Sequence, residues 1–462
     1  MDNFILDTDS YKASHFLQYP PGTQSMFSYI ESRGGRYERT LFFGLQYSLK
    51  RYFSQPVTSE MVDEAAAFFH AHGEPFPTEG WQHIVRAHGG ALPVRIRAVS
   101  EGSVVPTHNV LVTVESTDPV VFWLVGWIET QLVRVWYPVT VATQSFHIKR
   151  LIYGALAQSA DDPDGEIDFK LHDFGSRGVS SRESAEIGGA AHLVNFKGSD
   201  TVAGVWCANQ YYHSSMSAFS IPAAEHATIT SWGRAGEADA YRNMLAQFAR
   251  PGAVLACVSD SYDLTHAVEQ LWGAELRDVV IASGATIVIR PDSGHPPTIV
   301  RNTLEQLEAR FGSSLNRKGY KLLNHVRVIQ GDGVHELSIG EILRVALDAG
   351  FSASNLTFGM GGALLQQVDR DTQQFAMKCS QVTINGKPVP IYKDPVTDER
   401  KRSKAGRLDL IRFEGGYRTV VLDGAASHPD SVLVTVFENG KLLVDHTLDA
   451  IRQRASLEAR AS

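Results

Sequence analysis

The chain has 462 residues, 43% of them hydrophobic, so it can bury a large core, and its length points to two or more domains, with room for one to interrupt another. A net charge of -8 argues against an extended nucleic-acid surface. The three cysteines, Cys207, Cys257 and Cys379, sit in apolar contexts without CxxC spacing, which predicts reduced core thiols in a cytoplasmic protein and argues against a structural metal site.

The N-terminus, MDNFILDTDS, is acidic before its brief apolar run and does not read as a signal peptide. A short helix is predicted from Asp9 to Tyr19, and a helical, aromatic-containing region follows to about Trp81 and Ile84. Alternation over Pro93 to Val114 predicts strands. The apolar stretch Val120 to Ala142 is broken by Glu129, Arg134 and Pro138 and follows a cap at Asp118 with Pro119 behind it. It therefore predicts a buried helix, not a membrane span.

From about Asp168 strands and helices alternate regularly. Strand ends fall near His172, Thr201, Ser220, Ser259, Arg290, Ile329, Phe358 and Met377, with helical patterns such as Leu304 to Phe311 and Ile339 to Leu347 between them. Eight parallel strands predict an irregular (β/α) barrel over 166–380, in keeping with the roughly 250 residues typical of such domains. After Gln381, hairpin turns at Asn385-Gly386, Gly415-Gly416 and Asn439-Gly440 predict antiparallel strands. With 1–165, residues 381–462 would form a discontinuous α+β domain. The basic run ERKRSK (399–404) falls in a loop, and Leu448 to Ala461 reads as an exposed helix or tail.

In a barrel, binding groups collect at the carboxyl ends of the strands. Gly331-Asp332-Gly333 and Gly359-Met360-Gly361-Gly362 follow consecutive strands and allow close backbone approach to a phosphate. Asp292 and Asp332 at neighbouring tips suit ribose hydroxyls or a hydrated Mg²⁺, although Asp292 also reads as a helix cap. Arg290, Arg177, Arg370 and Lys378 at other strand ends indicate an anionic substrate. His172 is a strand-tip or a core histidine. His226, beside Glu225 at a helix start, suits a base or a nucleophile.

The blocks TDSYKASHFLQYP, FGLQY, WYPVTVAT, KLHDFGSRGVSS, NFKGSDTVAG, SIPAAEH, VSDSYD, IRPDSG, RVIQGDGV, GGALLQ and KDPVTDERKRSKAGR run in order to about Leu408. Together they resemble the nicotinamide phosphoribosyltransferase family, of the nicotinate/quinolinate type II phosphoribosyltransferases. The resemblance implies condensation of nicotinamide with 5-phosphoribosyl-1-pyrophosphate to the mononucleotide and pyrophosphate, with Mg²⁺ and with ATP hydrolysis coupled through a phosphohistidine at His226. It implies a homodimer in which Phe174 and the second subunit's Tyr11 sandwich the ring. Asp200 and Arg290 would bond the amide, and Asp292, Gly331 and Asp332 the ribose. Gly361, Gly362, Arg33, Arg370 and Lys378 would hold the 5′-phosphate, while Arg177, His226 and Lys401 would face the pyrophosphate or ATP. Ser220, Ser259 and Asp263 lie in matching blocks and complete the substrate-binding set; His226, Asp292, Arg290 and Glu225 form the catalytic one. Ala376 and Ser176 depart from the family pattern, where a serine and a tyrosine are expected. The same reaction on nicotinate, or a noncatalytic nucleotide-binding protein of this fold, are the alternatives.

Overall fold

The computed structural model describes residues 3–393, 403–424 and 427–461. The chain divides into two compact units, Met1–Thr143 with Gln210–Ser214 and Asp369–Ser462, and Gln144–Asn209 with Ser215–Val368. Among the described residues no helix is long and apolar enough to cross a membrane.

The first unit is built on a seven-stranded antiparallel sheet drawn from both ends of the chain. Its order is Lys387–Pro390, Phe375–Ile384, Thr23–Ser32, Val110–Ser116, Val94–Ala98, Val434–Glu438, Lys441–Leu442. Val94, Ile96 and Ala98 point into the core while Arg95 and Arg97 are part exposed, the period-2 pattern of a strand with one buried face. Asn385 and Asn439 sit at φ 47° and 49° and are each followed by glycine at positive φ, as tight hairpin turns require. Asp118 caps as expected, accepting the Val120 amide at 2.8 Å with Pro119 in the first turn.

Several expectations change here. The strand near Met377 is not an eighth barrel strand: Phe375–Ile384 pairs antiparallel with Thr23–Ser32, setting Lys378 opposite Tyr29 and Ala376 opposite Glu31. Its buried and half-buried positions interleave, unlike the continuous burial of a parallel strand. The single helix expected over Val120 to Ala142 is broken into Pro119–Val121, Leu124–Trp127 and Glu129–Val133 before a long helix, Trp136–Ser159, begins. The terminal helix Leu448–Ala461 is no free tail, because Leu448, Ile451 and Ala455 are buried. The N-terminal helix is a 3-10 turn, Ser10–Leu17.

The second unit carries six parallel strands: β1 Leu171–Asp173, β2 Gly198–Ser199, β3 Val254–Val258, β4 Thr286–Arg290, β5 Val326–Gln330 and β6 Leu356–Met360. Their order is β2-β1-β6-β5-β4-β3. The segment after Ala218 closes the ring, since Phe219 bridges to Gly198 of β2 and Ala223 bridges to Ala256 of β3. Thus the expected barrel forms from six strands and one bridging segment. Ala256, Val288 and Ile329 make an apolar cluster against which Phe174 and Ile221 pack.

Candidate active site at the strand tips

Because the strands are parallel, all their carboxyl ends open on one mouth. β1 leads into Phe174, β2 into Asp200, β3 into Asp260, β4 into Arg290 and Asp292, β5 into Gly331 and Asp332, and β6 into Gly361 and Gly362. The Phe174 amide donates to the Met360 carbonyl at 3.0 Å, tying the β1 tip to β6. Its ring covers Gly359, where any side chain would collide with it. A carbon placed on Gly331 would lie 3.4 Å from Asp292 Oδ1, 3.6 Å from Phe174 Cε2 and 3.8 Å from Arg290 Cδ, so ring, carboxylate and arginine converge on one point.

His226 begins the helix His226–Thr230, capped by Glu225 through a reciprocal box with Thr228. Its Nε2 donates to Asp260 Oδ1 at 3.0 Å, and its Nδ1 lies 3.9 Å from Asp292 Oδ2. The other Asp260 oxygen accepts from Ser293 Oγ at 2.6 Å and from the Asp292 amide at 3.1 Å. Burial pushes the Asp260 carboxyl up, but the bonds from Ser293, His226 and Asp292 outweigh it and hold the group below its ordinary value. Asp292 is raised instead, first by burial and then by the charges of Asp260 and Asp332, against the opposing pull of Arg290 3.7 Å away. Two adjacent carboxylates are thereby held differently, one firmly ionised and one with excess negative charge around it. Arg290 Nε is buried, and among the described residues no acceptor meets it.

Asp200 is exposed at the β2 tip and accepts from Ser220 Oγ. Arg177 is exposed in the turn Ser176–Gly178, and Asp332 is exposed beyond β5. Gly361 opens the short helix Gly362–Leu365, and nothing stands within 4 Å of a carbon added at Gly362. Ser259 does not reach the mouth: it is fully buried, donating to the Cys257 carbonyl and accepting from Trp272 Nε1 at 3.1 Å. Asp263 caps the helix Leu264–His266 by accepting the His266 amide at 3.0 Å. His172 packs its ring against Gly198 and Phe174, and burial lowers its affinity for a proton, so it is a neutral lining group outside the His226 cluster.

Tyr11, Arg33, Arg370 and Lys378 belong to the first unit. Tyr11 is 58% exposed. Burial lowers the Lys378 ammonium, and Arg33, Arg370 and Lys393 push the same way against Glu129, so four cations share one neighbourhood. Lys401 lies outside the described residues. Asp260 is absent from the residues that the sequence suggests, although it follows an apolar strand run, the signal that selects Arg290 and Asp292.

Residues 169–441 match the nicotinate phosphoribosyltransferase family, and residues 3–96 match the N-terminal domain of nicotinamide phosphoribosyltransferase. A nicotinamide phosphoribosyltransferase of Xanthomonas campestris is 57% identical over 460 residues, covering 98% of both chains. The chain belongs to the nicotinate phosphoribosyltransferase family. A nicotinamide phosphoribosyltransferase of Acinetobacter baylyi is 31% identical over 96% of this chain and 95% of its own. Among solved structures, a nicotinate-nucleotide pyrophosphorylase of Pyrococcus furiosus shares the fold of this family member at TM-score 0.63 and 17% identity, covering 99% of this chain and 96% of its own. The human nicotinic acid phosphoribosyltransferase does so at TM-score 0.54 and 18% identity, covering 98% and 93%.

Proposed function

We propose that this phosphoribosyltransferase condenses nicotinamide with 5-phosphoribosyl-1-pyrophosphate, giving nicotinamide mononucleotide and pyrophosphate for NAD salvage in the cytoplasm. The observation that carries it is the convergence at Gly331, where the Phe174 ring offers a stacking face, Asp292 an acceptor for hydroxyls and Arg290 an unpartnered buried donor. The pyridine nitrogen attacks the anomeric carbon as the bond to pyrophosphate breaks, through an oxocarbenium-like state that needs no protein nucleophile. Catalysis is then orientation by Phe174 and charge complementarity from Asp292 and Arg290. Asp292 and Asp332 fit a divalent cation, since burial and the charges of Asp260 and Asp332 raise Asp292 despite the opposing Arg290 and His226, and a cation would relieve that crowding. They would hold Mg²⁺, which when bound supplies charge neutralisation to the departing pyrophosphate.

The ATP-linked role belongs to His226. Asp260 occupies Nε2, which leaves Nδ1 to take the γ-phosphoryl group as ADP departs. Arg177, exposed on the β1 loop, suits the phosphates, and the Arg33, Arg370 and Lys378 group of the first unit suits a phosphate as well. Product formation should be measured with nicotinamide and with nicotinate, with and without ATP, in the parent and in His226→Ala. Nicotinamide should be preferred, and the variant should keep slow synthesis while losing ATP hydrolysis. Equal ATP stimulation of parent and variant removes the phosphohistidine, and preference for nicotinate removes the substrate assignment.

A further inference from the structure

A cluster in the first unit has the chemistry of a metal centre. The helix Thr78–His88 ends at Gly89, whose φ of 59° turns the chain out of the helix. Its last two turns carry His83 and His88, and both rings reach Asp118, which caps the Pro119–Val121 turn. Asp118 Oδ1 is engaged by the Val120 amide at 2.8 Å, which fixes the carboxylate and directs Oδ2 toward the imidazoles. Each Nε2 stands 2.7 Å from that one oxygen, and the two ring centroids are 5.7 Å apart at 74°. The three candidate ligand atoms all lie within 4.8 Å of one another. Side-chain exposures of 29%, 28% and 13% leave the group sheltered but reachable. Arg86, on the intervening turn, is occupied with Glu79 at 3.2 Å.

We propose that His83, His88 and Asp118 bind a borderline divalent cation of the Zn²⁺ class, pinning the end of helix Thr78–His88 to the Pro119 turn. Two imidazole nitrogens and one carboxylate oxygen suit Zn²⁺, with a fourth position left for water, whereas Mg²⁺ prefers an all-oxygen shell. A neutral imidazole binds through Nε2 once its proton sits on Nδ1, so the exchange needs a tautomer shift and no net ionisation of the rings. The cluster belongs to the first unit and His226 and Asp292 to the second, and the role proposed for the metal is structural.

The test uses the full chain freed of metal by chelator dialysis and then titrated with Zn²⁺ against a chromophoric competitor, with Co²⁺ absorption as a second readout. One equivalent should bind, raise Tm, and give the intense visible bands of a four-coordinate Co²⁺ site. Separate His83→Ala and Asp118→Asn variants should each lose about 10²-fold in affinity, while Mg²⁺-supported synthesis, measured in the same samples as proof of folding, persists. Because Asp118→Asn preserves a cap acceptor, it keeps the test open if His83→Ala is poorly folded. No binding by the parent, or unchanged affinity in both variants, overturns the site and leaves two histidines merely sharing a carboxylate.

Discussion

Asp260 grips His226 at 3.0 Å through one carboxylate oxygen while the other is tied to Ser293 and to the Asp292 backbone. The imidazole is thus oriented by a group that is itself oriented. Asp260→Asn keeps the size but lets the side-chain amide present a donor to Nε2, which would move the ring proton to Nδ1 and block the attacking nitrogen. ATP hydrolysis should fall by about 10²-fold, with ATP-independent synthesis changed far less. Parallel loss of both activities would show that Asp260 serves the fold and not the imidazole.

Asp200, exposed and linked to Ser220, stands at the β2 tip, and we propose that it selects an amide over a carboxylate. It can accept from a ring amide, whereas nicotinate would bring a second negative charge against it. Bonds to a charged group are worth about 1.5–3 kcal/mol, so with repulsion added discrimination of roughly a thousandfold is expected. Asp200→Asn and Asp200→Ser should lower kcat/KM for nicotinamide and raise it for nicotinate in competition assays. An unchanged preference in both variants would take Asp200 out of the specificity argument.

Gly359 tests the Phe174 platform without touching a polar group. An alanine methyl there would land on the ring and force it off its present position. The KM for nicotinamide should rise about tenfold, the scale of one lost aromatic contact, while ATP hydrolysis through His226 persists. Steady-state kinetics of Gly359→Ala would decide, and an unaltered KM would mean that the ring is not the stacking face.

We propose that each site takes Tyr11 from a partner subunit, for which the 58% exposure of Tyr11 leaves its ring available. Mixing Tyr11→Ala with Asp292→Ala chains under subunit exchange should restore part of the activity, since one of the two mixed sites then carries neither defect. Verified mixed dimers with no recovery would sink the shared site.

His192 gives a stability prediction. It is fully buried, and its Nε2 faces the Leu171 carbonyl at 3.2 Å, so Nε2 donates and Nδ1 accepts from Ser145 Oγ at 2.9 Å. Burial lowers its pKa to about 3, against 6.5 when unfolded. The folded chain therefore binds fewer protons than the unfolded one between these values. The stabilisation is whole above pH 6.5 and is lost as pH falls toward 3, at about 1.4 kcal/mol per unit. Denaturant unfolding at pH 7 and pH 5 should show this slope in the parent and its absence in His192→Phe. Identical slopes would assign the acid sensitivity to other groups.

The sequence by itself determined the alternating strands and helices, the three hairpin turns, the Asp118 cap and the motif blocks that mark the family. These are local matters, settled by apolar period, by turn residues with positive φ and by the order of short motifs. It also placed Arg290, Asp292, Asp332 and Phe174 at strand ends. Which neighbour faces the mouth was decided by the fold alone. Side chains alternate across a strand, so a shift of one residue exchanges Ser259, turned inward against Trp272, for Asp260, turned toward His226. Strand partnership was likewise tertiary. Met377 carries no local mark that sends it to an antiparallel sheet beside Thr23–Ser32, and the strand end expected near Ser220 gives no sign that the segment joins the ring by two single bridges, at Phe219 and Ala223. Both depend on contacts between segments far apart in the chain. The same holds for His83, His88 and Asp118, which meet because the sheet and the helices over it bring together residues about thirty positions apart.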